Sequence, residues 1–113
     1  MKQQILMPQI ILLNQKYTAL EEAIEIGNLE IVNVLIERSA KVNITTNSSR
    51  STPLHIAAKF GHTEILLKLI QEGAQVNAKY MLNSTPLHYA ASVGQIVALL
   101  KLIGNNAEVN IKG

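Results

Sequence analysis

Ser51-Thr52-Pro53-Leu54-His55-Ile56-Ala57-Ala58 returns 33 residues later as Ser84-Thr85-Pro86-Leu87-His88-Tyr89-Ala90-Ala91. A motif recurring at that period marks a stack of small units, each too small to bury its own apolar face. A third, divergent copy lies 34 residues upstream, where Thr18-Ala19-Leu20-Glu21-Glu22-Ala23 keeps Thr, Leu and Ala. Gly27, Gly61 and Gly94 then correspond, as do Asn43, Asn77 and Asn110, and the Thr-to-Asn distance is 25 residues in every unit. The one extra residue of the first spacing therefore falls between Asn43 and Thr52, in a polar loop, where stacked units tolerate insertion.

Within each unit the residues predict two short antiparallel helices. Thr52 and Thr85 suit the N-cap, followed by Pro53 and Pro86 at the first helical position, where a missing N–H costs nothing. Thr18 lacks the Pro but gains a capping box, because Glu21 can reach back to its amide. Gly27, Gly61 and Gly94 close the first helix in a left-handed conformation. The second helix is predicted over Leu29–Glu37, Thr63–Gln71 and Ile96–Ile103, each with an apolar stripe at helical spacing. Ser39, Gly73 and Asn106 take the next turn, with Ser the least suited to a left-handed residue. Ala-x-Val-Asn follows three times, Val pointing inward and Asn starting a turn into an extended excursion.

The chain has 113 residues, 48% of them hydrophobic, a formal charge of +2 and no cysteine. One domain is expected, built on Leu, Ile, Val and Ala rather than on aromatics. So small a charge, spread singly, argues against a nucleic-acid or membrane-surface partner. Without cysteine there is neither a disulfide framework nor thiolate chemistry, which fits a reducing, cytoplasmic setting. Apolar runs such as Ile10-Ile11-Leu12-Leu13 are far too short to span a membrane. Residues 1–16 carry no repeat pattern; Pro8 and several Gln interrupt their apolar portion, so they read as a partial cap or a flexible segment rather than a secretory signal. The Ile, Lys and Asn-rich composition suggests an AT-rich genome, and delivery into a host cell if the source is an intracellular bacterium.

Thr-Pro-Leu-His-x-Ala-Ala, a Gly a few residues on, then Gly-Ala-x-Val-Asn, at 33-residue spacing, closely resembles the ankyrin repeat over about residues 14–113. The resemblance implies an all-α solenoid of antiparallel helix pairs joined by β-hairpin-like loops. It divides the chain into 1–16, then a divergent unit 17–46, a second unit 47–79 and a third 80–113. Departures are Ala19 and Glu21 in the first unit and Asn106 and Val97 in the third; Arg50 and Asn83 replace a usual hairpin Gly, so irregular loop tips are expected.

His55 and His88 invite a catalytic or metal-binding reading. One His per repeat follows from duplication rather than from ligand spacing, and the family implies a structural residue bonding within the first helix and toward the neighbouring loop. His62, at the helix junction, reads as a local cap. Glu21, Glu22 and Glu25 read as a solvated acidic face at a helix start. With no phosphate loop, nucleophile elbow or zinc signature, no enzymatic activity and no cofactor or metal are expected.

Binding of another protein is what the resemblance implies, through a concave face of loop tips and of residues just before the first helix's closing Gly. Here the tips are Asn14, Gln15 and Tyr17; Ser48, Ser49 and Ser51; and Met81, Leu82 and Ser84. The helix positions are Glu25 and Ile26, Lys59 and Phe60, and Ser92 and Val93. Ile26, Phe60 and Val93 should form a row, widened by Tyr80, Met81 and Leu82 into an exposed apolar patch of the kind that marks partner sites. At the other extreme Val97, Leu100 and Ile103 are too apolar for an end facing water. Either the array continues, or a second copy covers that face, or the exposure is tolerated.

Overall fold

The structure is a computed structural model that describes residues 18–44, 51–80 and 83–112. Among these residues are six helices: α1 (Ala19–Ile26), α2 (Leu29–Glu37), α3 (Pro53–Phe60), α4 (Thr63–Gln71), α5 (Pro86–Ser92) and α6 (Ile96–Gly104). The start signals act as the residue types dictate. Thr18, Thr52 and Thr85 are extended, and each hydroxyl accepts the amide of the residue three on, namely Glu21, His55 and His88. Each of those side chains bonds the cap amide in return, so a His completes the reciprocal box as well as a Glu does.

The stop signals repeat with equal regularity. Gly27, Gly61 and Gly94 have φ of 89°, 71° and 74°. The amide after each donates back to the carbonyl of Ala23, Ala57 or Ala90 at 3.0, 3.0 and 2.8 Å, closing the helix end. α5 stops one residue early, with Val93 as its cap ahead of Gly94, and α6 runs one residue past the expected Ile103. Ser39, Gly73 and Asn106 are all left-handed, so even Ser39 accepts the conformation. Each is followed by an Ala amide bonded to the carbonyl of Leu35, Leu69 or Leu102 at 2.9 Å.

α1, α3 and α5 lie side by side in one layer and α2, α4 and α6 in the other, with each pair packed internally. The core between the layers is aliphatic: Leu20, Ile24, Leu54, Leu66, Leu69 and Leu102 are fully buried, with Ala57, Ala58, Ala90 and Ala98 where helices approach closely. Burying one such Leu is worth about 1.5–3 kcal/mol.

Asn83 adopts φ 62° in place of the missing Gly, and Tyr80 and Ser84 exchange amide-to-carbonyl bonds of 2.6 and 3.2 Å. The base of the loop leading into α5 is therefore closed by this pair, and Asn tolerates the left-handed region better than other residues with a side chain; the tip expected to be irregular lies outside the described residues. The expectations for residues 1–16 and for Tyr17, Ser48, Ser49, Arg50, Met81 and Leu82 lie outside the described residues.

Candidate protein-interaction surface

Each His of the repeated motif is fully committed to the scaffold. The Thr52 amide donates to His55 Nδ1 at 3.2 Å, which leaves the proton on Nε2, and Nε2 bonds the Ser84 carbonyl at 2.8 Å. His88 repeats the pattern, with the Thr85 amide on Nδ1 at 2.9 Å and Nε2 on the Ile111 carbonyl at 3.0 Å. Burial holds the His55 imidazole below its ordinary pKa, favouring the neutral ring that these bonds require. Tyr80 and Tyr89 pack edge-on against His55 and each other, with centroids 5.0–6.0 Å apart. Burial, then the neighbouring Tyr80, pushes the Tyr89 hydroxyl up to about 12. Tyr80 thus packs at the base of the loop and is half-buried there.

Two sets of side chains stitch neighbouring units together. His62 does not cap its own helix; its Nε2 reaches back to the Glu25 carbonyl of the first unit at 3.2 Å. Gln95, at the equivalent place, donates from Nε2 to the Lys59 carbonyl at 3.3 Å. Asn28, in the first unit, instead accepts the Ile31 amide of its own helix at 3.1 Å. In the forward direction, Asn43 donates to the Gly73 carbonyl and accepts the Gln75 amide, both at 2.9 Å. Asn77 does the same with the Asn106 carbonyl and the Glu108 amide at 3.3 and 2.9 Å.

The exposed side chains at the ends of α1, α3 and α5 remain. Ile26 is 78% exposed, Phe60 41% and Val93 47%, one per unit at one equivalent position. Phe60 stacks on His62 at 6.2 Å between centroids, and the Lys59 ammonium stands 5.6 Å from its ring, a cation–π distance. Glu25, Lys59 and Ser92 are exposed beside the row, so its polar flank runs from acidic in the first unit to basic in the second and neutral in the third. Two expected members drop out of the exposed set. Ser51, next to the cap Thr52, is buried. Glu21 is buried too, separated from the solvated Glu22 and Glu25 by its own bonds to Thr18.

The family model describing ankyrin repeats in three copies matches residues 20–113. The chain belongs to the ankyrin-repeat family. Comparison with curated proteins finds no match to it. Ankyrin repeats are generally protein–protein interaction modules and typically non-catalytic. No group of three or more metal-ligating side chains gathers among the described residues of this ankyrin chain, and none of its described helices is long and apolar enough to cross a membrane.

Sequence reasoning missed the backward stitch of the ankyrin stack. Its signal was present: the residue after each closing Gly is always a hydrogen-bonding one, Asn28, His62 or Gln95. Of these only His62 reads as a cap from the sequence; in the structure it is Asn28 that caps its own helix, while His62 and Gln95 reach back to the preceding unit.

Proposed function

We propose that this ankyrin-repeat protein is a non-catalytic binding module that captures a partner protein on the face formed by the ends of α1, α3 and α5. The observation that carries the reading is the recurrence of Ile26, Phe60 and Val93 as exposed apolar side chains at one position in all three units. Glu25, Lys59 and Ser92 supply the polar rim, and apolar anchors ringed by polar groups are how protein interfaces gain both affinity and register. Tyr17, Ser49, Met81 and Leu82 remain proposed members through the family resemblance. A rigid stack orders little on binding, so most of the contact energy appears as affinity. The absence of cysteine suits a cytoplasmic setting.

The test is capture from cells of the source organism by the full chain and by a variant carrying Ile26→Ser and Phe60→Ala. The proposal expects the variant to lose the captured partner while its helical circular dichroism stays intact. Equal capture by both proteins overturns it.

A second reading, self-association through the third unit, is favoured by a specific observation: Leu100, Ile103 and Val109 are large apolar side chains left in water at that end.

A further inference from the structure

This inference rests on the self-association reading and gives it a geometry. We propose that two copies of the chain pair about a two-fold axis, α6 against α6, through Val97, Leu100 and Ile103.

The argument begins with a comparison inside the chain. Leu67 and Ile70, the second-unit counterparts of Leu100 and Ile103, pack partly buried against the core because α6 lies beside them. In the third unit Leu100 is 61% and Ile103 41% exposed. One more stacked unit would cover those two. It would not cover Val97. The counterparts of Val97 are Glu30 and Glu64, and both are exposed although a further unit is stacked beyond each. Val97, 55% exposed, therefore lies outside the footprint of a stacked unit, and only here has an apolar residue replaced the Glu. The apolar face of α6 is wider than continuing the array requires.

At the opposite end the first unit leaves Ile31 and Val34 exposed, but a unit stacked in register would not reach Val97. A unit stacked in the regular manner reaches back with an imidazole or amide, as His62 and Gln95 do, whereas the Asn28 side chain is already committed to the Ile31 amide. Head-to-tail stacking of copies would have to take that bond from Asn28 Nδ2, which the Ile31 contact does not use, and would still leave Val97 bare. A second α6 is a better match. The face is apolar, and the charges bordering it, Lys101 and Glu108, are opposite in sign, so a self-complementary approach meets no net repulsion. A groove of about 240 Å³ bordered by Leu87, Ala91, Ile103 and Val109 opens beside the helix and can admit a partner side chain. Self-complementary faces of this kind close as two-fold dimers rather than growing into filaments. α6 is only about 14 Å long at 1.5 Å per residue, which sets the contact at the small, weak end of the specific range.

Sedimentation equilibrium of the full chain, from about 1 μM to about 1 mM, tests this, a span that brackets weak association. The expected result is a mass rising from the 12.4 kDa monomer to twice that value and levelling there. Val97→Glu, which installs the residue the other two units carry, should weaken the dimer by at least tenfold with unchanged circular dichroism. A monomer at every concentration overturns both the pairing and the reading beneath it. Growth past the dimer overturns the two-fold arrangement while leaving self-association standing. A dimer indifferent to Val97→Glu places the contact elsewhere and also overturns the proposal.

Discussion

Glu21 occupies the position that His55 and His88 hold in the other two units, and the substitution is imperfect. Its Oε1 accepts the Thr18 amide at 2.7 Å and the Thr18 hydroxyl at 2.8 Å, just as Nδ1 of the His accepts from its own Thr. Its Oε2 is buried without a hydrogen-bond partner, where each His has an N–H to donate. Burial raises the Glu21 pKa, opposed in part by the bonds from Thr18. A carboxyl whose pKa is raised on folding stabilises the fold while protonated, and that contribution is lost as pH rises from the ordinary carboxylate range through the folded value. His55, held low, behaves in the opposite sense: its contribution is present above the ordinary imidazole pKa near 6.5 and is lost as pH falls below it. We expect Glu21→Gln, which keeps an acceptor and gains a donor, to raise stability at pH 8 by about 1 kcal/mol, the scale of one unsatisfied buried group. The same change should do little at pH 4. Urea unfolding at the two pH values checks it, and an equal gain at both would mean that ionisation of Glu21 is not involved. The capping role of Glu21 was legible from the Thr-x-x-Glu spacing. Its burial was not, since a run of Glu residues looks like a solvated face and only the inward register of the first helix separates it from Glu22 and Glu25.

At the scale of the element, the six described helices were legible because their ends are chemically marked: Thr before α1, α3 and α5, and a left-handed residue within two positions after every one. The closing glycines serve a second purpose that no local rule reveals. A Cβ on Gly27 would stand 2.6 Å from the His62 ring, and one on Gly61 would overlap the Gln95 amide. Nothing lies within 4 Å of the same point on Gly94. Gly61→Ala therefore meets two penalties, a left-handed backbone worth roughly 1–2 kcal/mol and the displacement of Gln95. Gly94→Ala meets the first alone. The expected order of thermal midpoints is wild type, then Gly94→Ala, then Gly61→Ala, and adding Gln95→Ala to Gly61→Ala should recover part of the difference. If the two glycine variants melt together, the contact with Gln95 has no energetic weight.

For the molecule as a whole, the 33-residue period predicted the architecture, and the contacts explain why the units cannot stand alone. Leu66 is fully buried at the centre of the stack, so Leu66→Ala should cost about 2–5 kcal/mol and, because units are coupled only to their neighbours, should raise amide exchange in α1–α2 and α5–α6 together. Retained protection in α6 would show that the third unit folds independently. The row of exposed residues was legible as a row; which flanking residues join it was not, since Ser51 is buried and Tyr80 packs on His55 and Tyr89. The stitches also set how the row behaves. Neighbouring units are pinned at both ends of the second helix: for the middle unit, His62 at the start of α4 and the Asn43 bonds around Gly73 at its finish. Those anchor points are separated by a lever arm of about 14 Å for a nine-residue helix. Pinned at two points, one unit cannot swivel on the next, so the spacing from Ile26 to Phe60 to Val93 is a fixed gauge. A partner must bring its own side chains at that pitch, and lengthening or shortening one stitch, as in His62→Asn, would re-graduate the gauge without altering any of its marks.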